Sequence, residues 1–439
     1  LQVTAAGCTA TAYTNLKSTN NTGQWTGAIS TDWADANNWC SGVLPSALND
    51  VTIAAGVARM PIISGTANCR NLTVNTGATI ITSAAGTLNI AGNITNNGTM
   101  TNSGTTNFNG TGAQQSFTGT TNFYNLTLNN INGLIIPAAT TVVNNLTLTA
   151  GILNPNGFSL LVGKNWINNA ATGAFAAGSS TIFFNGTGAQ TIGGTFVTSF
   201  NDINVTNAAG PVSLNSNINI AGDLLISAGI FDLGTFTANR LTSGGILTVN
   251  NNATLKIGGN NTYPTNFATS NLVVASTVEY NGVTQTVANK PYGNLKLSSS
   301  TGAAVKTMPA TATTILGKLT TTIGTGTAVT INAAANITVG DSTIIGAGTT
   351  FNGGSFNISA GGSWKNNGIF NGNSGTIIFT GAGTSVSGSG GQNFNNLTVS
   401  APLVTFSNAS VSLTGNLLTN STGSFSQASG GTLNMTGAA

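Results

Sequence analysis

Charge is what this 439-residue sequence has least of. Charged residues make up 4% of it, with 11 Lys and Arg against 8 Asp and Glu, where an average soluble domain carries about 25%. An ordinary helical protein is excluded, because the long charged residues that solvate helix surfaces are scarce. Histidine is absent, which removes imidazole catalysis and any Ser-His-Asp triad. The net charge of +3 is too small to point to nucleic acid. The longest apolar stretch, around Leu134-Ile135-Ile136-Pro137-Ala138-Ala139, falls far short of the roughly 20 residues that span a bilayer. A soluble chain without a transmembrane segment is expected.

What is present is small, neutral and repetitive. Hydrophobic residues reach 40%, mean hydropathy is +0.19 and there are 58 glycines, which argues for a folded chain over a disordered one. Phe108-Asn109-Gly110-Thr111-Gly112-Ala113-Gln114 returns as Phe184-Asn185-Gly186-Thr187-Gly188-Ala189-Gln190. Looser copies start at Tyr280 and Phe379. Downstream of each comes another aromatic and an alternating strand, as in Phe123-Tyr124-Asn125-Leu126-Thr127-Leu128 and Phe394-Asn395-Asn396-Leu397-Thr398-Val399. Upstream lie Ile94-Thr95-Asn96-Asn97, Trp166-Ile167-Asn168-Asn169 and Trp364-Lys365-Asn366-Asn367. A repeat of this length must contain several solenoid turns.

Within the repeats, short strands alternate Leu, Ile or Val with Thr, Asn or Ser, and Gly and Asn punctuate them. This pattern predicts an all-β fold, a right-handed parallel β-helix (β-solenoid) of about 20–25 residues per turn. Stacked Asn and Thr would bond along the axis. A string of antiparallel sandwiches is the alternative. Residues 1–55 read as an N-terminal cap and 56–439 as the β-helix of imperfect repeats. Gly431-Thr432-Leu433-Asn434-Met435 matches Gly375-Thr376-Ile377-Ile378-Phe379, so the repeat is expected to continue beyond the given sequence.

Three of the five tryptophans, Trp25, Trp33 and Trp39, fall in the opening segment. Large aromatics cover a solenoid end efficiently, and an aromatic ligand cage is the functional alternative. The cysteines are Cys8, Cys40 and Cys69. Cys40 and Cys69 both adjoin ordered-looking motifs and are the expected disulfide. It would close a loop of about 30 residues, contribute roughly 3 kcal/mol and imply an oxidising compartment. Buried free thiols are the other reading, and Cys8 is left without an assigned partner.

The segment Gln24-Trp25-Thr26-Gly27-Ala28-Ile29-Ser30-Thr31-Asp32-Trp33, followed by Asn38-Trp39, Pro45 and Asn49-Asp50-Val51-Thr52-Ile53, resembles the start of large secreted repeat proteins of Bacteroidota and related bacteria. The resemblance implies an adhesin-like cell-surface protein, exported in the manner of type IX secretion cargo, with secretion machinery among its partners. It implies no catalytic residues.

Polysaccharide lyases and hydrolases on β-helices need paired carboxylates or a base beside metal-binding acids. The acids here are Asp32, Asp35, Asp50, Asp202, Asp223, Asp232, Asp341 and Glu279, and their spacing fits no acid pair. Turn and capping roles are expected for Asp32 and Asp35, and corner positions for Asp223 and Asp232. No metal or cofactor pattern is present, although carbonyl and Asn oxygens leave a corner calcium open. Among the bases, Lys290 to Lys318 is the densest run. It reads as a solvated edge, with contact to an anionic glycan as the sharper alternative. The expected function is a non-enzymatic extracellular stalk, adhesin or fibre module, binding glycans, surface components or neighbouring copies. A self-assembling filament, a carbohydrate-active enzyme and an ice-binding solenoid are the alternatives.

Overall fold

The computed structural model describes Gln2–Ala5, Cys8–Thr11 and residues 23–407, 410–420, 422–428 and 432–436. Side chains are described from residue 23 onward. The chain forms two compact units, Leu1–Asp223 and Leu224–Ala439. Both are parallel β-solenoids, with about 18 coils in all. The one helical element among the described residues is a single 3-10 turn, Ala36–Asn38.

Each coil of the first unit has three faces. The first face stacks Thr66–Cys69, Thr87–Ile90, Thr105–Phe108, Asn125–Asn129, Leu146–Ala150, Trp166–Asn168, Gln190–Gly193 and Pro211–Leu214. The second begins with Val51–Ile53, Leu72–Val74, Ile94–Asn96 and Gln115–Thr118. Thr140–Val142, Leu160–Val162, Thr181–Phe184 and Asp202–Val205 are consecutive strands on the third. The second unit repeats the plan. Its first face includes Thr254–Ile257, Thr277–Tyr280, Asn294–Leu297, Leu319–Thr321, Thr343–Ile345 and Trp364–Asn366.

Period-two alternation decides which side chains face in. Leu88, Leu126, Leu146 and Trp166 occupy one inward column, each buried. Burying one such side chain is worth about 1.5–3 kcal/mol, and a single coil has no second layer to bury it against. Stacking therefore supplies the core. Outward amides bond from coil to coil. Asn107 donates to Asn89 at 2.9 Å and Asn89 to Asn68 at 3.0 Å. Asn371 donates to Asn352 and Asn352 to Asn332, both at 2.8 Å. These are the axial amide ladders expected from the sequence, and they hold the coils in register with few charges.

The opening segment lies on the first coil. Gln24 pairs in parallel with Thr52 and Asp32 with Ile62, while Val51–Ile53 is already a solenoid strand. Before it, Gln2–Ala5 and Cys8–Thr11 form an antiparallel hairpin.

One expectation fails here. Cys69 is a free, fully buried thiol, whereas Cys40 is disulfide-bonded, so no Cys40–Cys69 bridge forms. The alternation Thr66-Ala67-Asn68-Cys69 turns Cys69 inward, opposite Ile90. Burial pushes its thiol pKa up, with the Asp50 charge adding to the effect, and such a thiol is inert.

Candidate functional site

The three indoles of the opening segment, Trp25, Trp33 and Trp39, are packed against each other. Trp33 and Trp39 meet edge to face at 4.6 Å between centroids, Trp25 and Trp39 at 5.1 Å, and Trp25 stacks on Trp33 at 6.5 Å. All are buried. Trp25 Nε1 donates to Arg59 O at 2.8 Å and Trp39 Nε1 to Trp33 O at 2.9 Å. Between them Asn38 accepts from the backbone N–H of Ile29 and Ser30 and donates to Ser30 Oγ and Asp32 O. Rings and polar atoms fill the space a ligand cage would need. Arg70 and Asn71 then clasp Asp50 across the coil, with Arg70 Nε and Asn71 Nδ2 each 2.7 Å from Oδ1. Hydrogen bonding from Arg70 is the main cause that holds the Asp50 carboxyl down at about 2.

The four aromatics that open the long repeat each face the downstream aromatic inside the core. The centroid separations are 6.0 Å for Phe108–Phe123, 6.4 Å for Phe184–Phe200, 6.5 Å for Tyr280–Tyr292 and 6.3 Å for Phe379–Phe394. The Gln of the motif explains its recurrence. Gln190 accepts from Gly186 N–H at 2.8 Å and donates to Val162 O and Lys164 O on the preceding coil. In the first copy the motif's own Gln114 is exposed and its neighbour Gln115 does the same with Gly110, Ile90 and Gly92, and Gln285 does so with Gly282, Ile257 and Asn261. A second donor from the next coil completes each set, Asn130 for Gln115 and Asn207 for Gln190. The motif is thus an internal corner staple. The Asn of the upstream slot works alike: Asn96, Asn168 and Asn366 are buried and bond corner backbone.

At the third copy the second donor is Lys306, whose Nζ lies 2.6 Å from Gln285 Oε1 and 2.5 Å from Gly282 O. Lys306 is fully buried, and desolvation pulls its ammonium down to about 8. The solvated-edge reading of the Lys290–Lys318 run is wrong for this residue. The phase of Ala303-Ala304-Val305-Lys306-Thr307 carried the signal, since Lys306 shares the inward parity of Ala304.

The acids are engaged in local structure. Asp32 and Asp35 accept turn N–H groups at 3.0 and 2.9 Å, Asp35 as the cap of the 3-10 turn. Asp202 accepts from the Asp223 N–H at 2.6 Å. On the outer side of the second unit's first face, Asp232, Lys256, Glu279 and Lys296 are opposite one another on four successive coils. Lys256 lies 3.0 Å from Asp232 and Lys296 3.2 Å from Glu279. The row alternates in sign and cancels its own charge.

Beside that row the surface has a notch of about 400 Å³, lined among others by Asn252, Val274, Thr277, Asn294, Lys296, Leu316, Lys318, Thr320 and Asp341. Lys318 reaches toward Asp341 at 3.9 Å. The sequence run placed Lys296 and Lys318 near each other, but the recess itself was invisible in it.

Residues 24–120 match a family described as a domain of unknown function, DUF8693. No curated protein matches the chain. No solved structure matches it either. Among the described residues, no helix is long and apolar enough to cross a membrane.

Proposed function

We propose that this chain is a non-catalytic structural and adhesive module that works outside the cell, as part of a surface stalk, adhesin or fibre. The observation that carries the reading is how its polar side chains are used. Amide ladders tie coil to coil, corner Gln and Asn are consumed in backbone staples, and the carboxylates cap turns or pair with neighbouring lysines and arginines. Chemistry spent on stacking yields rigidity, and rigid repetition sets reach and many weak contacts. The disulfide at Cys40 supports an oxidising, secreted location.

The test is a panel of immobilised acidic and neutral polysaccharides incubated with the protein. Retention of the protein with no shortening of the polymers is expected. Release of soluble fragments at steady turnover would overturn the reading in favour of an enzyme.

A further inference from the structure

The notch on the second unit has a definite physical origin. Along the first face, Thr277 and Asn294 are register partners only 17 residues apart, whereas Thr254 and Thr277 are 23 apart and Leu295 and Leu319 are 24 apart. The short coil has almost no corner. Gly293 alone separates Tyr292, which bridges to Ile315, from the strand that starts at Asn294. The chain hugs the coil below so closely that a Cβ at Gly293 would sit 2.0 Å from Val273 O. The longer corners on either side stand proud and become walls, exposing Val274 (56%) and Leu316 (44%).

The chemistry of the recess is mixed in a specific way. Two apolar side chains face each other across a polar floor, where Asn294 Oδ1 is fixed by the Lys318 N–H at 2.8 Å. Lys296 and Lys318 border the floor. Each ammonium has three donors and meets one carboxylate, Glu279 at 3.2 Å and Asp341 at 3.9 Å. The side chains are thereby oriented while donors remain free. Counting Glu279 behind Lys296, the two ammoniums are balanced by two carboxylates, so what the notch offers an anion is the unused N–H donors of both lysines and not an excess of positive charge. Its volume suits a small ligand, and no aromatic ring lines it, which disfavours a stacked base.

We propose that this notch is a subsite for an acidic sugar unit, a saccharide carrying a carboxylate or sulfate, held by Lys296 and Lys318 with its ring against Val274 and Leu316. The inference rests on the adhesive reading above and gives it a ligand class. The probe is tetragalacturonic acid, with maltotetraose as the neutral counterpart, titrated into the intact chain by calorimetry. The acidic tetramer should bind and the neutral one should bind much more weakly. The pair K296Q/K318Q should weaken acidic binding roughly tenfold or more, as expected for loss of two charge-assisted contacts. K296R/K318R should retain binding, and K365Q, farther along the same face, should leave it unchanged. Equal affinity for the two tetramers, no binding of the acidic one, or an unchanged K296Q/K318Q would overturn the proposal. Cleavage of the tetramer with lysine-dependent affinity intact would instead overturn the non-catalytic reading and leave the subsite standing.

Discussion

Lys306 is the residue whose environment makes the sharpest prediction. Its buried ammonium has hydrogen-bond acceptors in Gly282 O and Gln285 Oε1, and the Glu279 charge only partly offsets desolvation. Its folded pKa of about 8 lies below the 10.5 of a free lysine. Between those values the unfolded chain holds a proton that the folded chain has released, so stability rises with pH. The shift corresponds to about 3 kcal/mol of destabilisation at neutral pH that is progressively relieved above pH 8. Buried phenols set the upper limit. Tyr280 is raised to about 12, and Tyr263 and Tyr292 are raised as well, all by burial first. The unfolded chain ionises the Cys69 thiol from about pH 9 and these phenols from about pH 10 while the folded chain keeps their protons, so the rise levels off near pH 9 and turns into a fall above pH 10. Urea midpoints measured from pH 7 to 11 should therefore climb and then drop. Lys306→Met should flatten the climb and leave the drop; a climb that survives the substitution would refute this account.

At the scale of the element, the recurring unit is a corner. Two copies in each unit occupy different positions around the coil. In the first unit, Phe108 leads from the first face to the second and Phe184 from the third to the first. In the second unit, Tyr280 and Phe379 divide in the same way. The repeat was plain in the sequence, but its rotation around the axis was not, because the three faces share one alternation and each corner is locally the same. Gln190 shows what the staple is worth. Gln190→Ala would strand Gly186 N–H and Lys164 O and remove one bond each from Val162 O and Asn207, which keep Asn185 N–H and Gly188 O respectively, at a cost of about 3 kcal/mol. The fourth copy offers an internal comparison. There Thr384 makes a single bond to Gly381 O at 2.6 Å, so Thr384→Val should cost about 1 kcal/mol. Denaturant midpoints compare the two directly, and equal losses would show that the amide merely fills space.

For the molecule as a whole, period-two alternation and Gly/Asn corners pointed to a parallel solenoid over antiparallel sandwiches, because strands this short bury one face by stacking coil on coil. The disulfide was misread, since burial of Cys69 depends on its phase against the next coil and not on its neighbours in sequence. The notch was unreadable because it arises from a difference in length between adjacent coils. The same logic governs stability within the second unit. A coil is supported only by the coils above and below it. Phe370 is buried among Phe351, Trp364 and Phe394, whereas Leu418, Phe425 and Met435 are 56%, 41% and 61% exposed. In the 439-residue chain, amide exchange should be slow across residues 328–379 and faster in the strands Leu417–Thr419, Phe425–Gln427 and Thr432–Met435. Phe370→Ala removes a packed ring at about 3–5 kcal/mol. It should speed exchange in the strands at Thr349–Asn352 and Gln392–Phe394, which pair directly with its own. Thr277–Tyr280, several coils away, should keep its protection. Uniform acceleration throughout the unit would mean that the coils melt as one body, and nearest-neighbour support would be the wrong description of this fold.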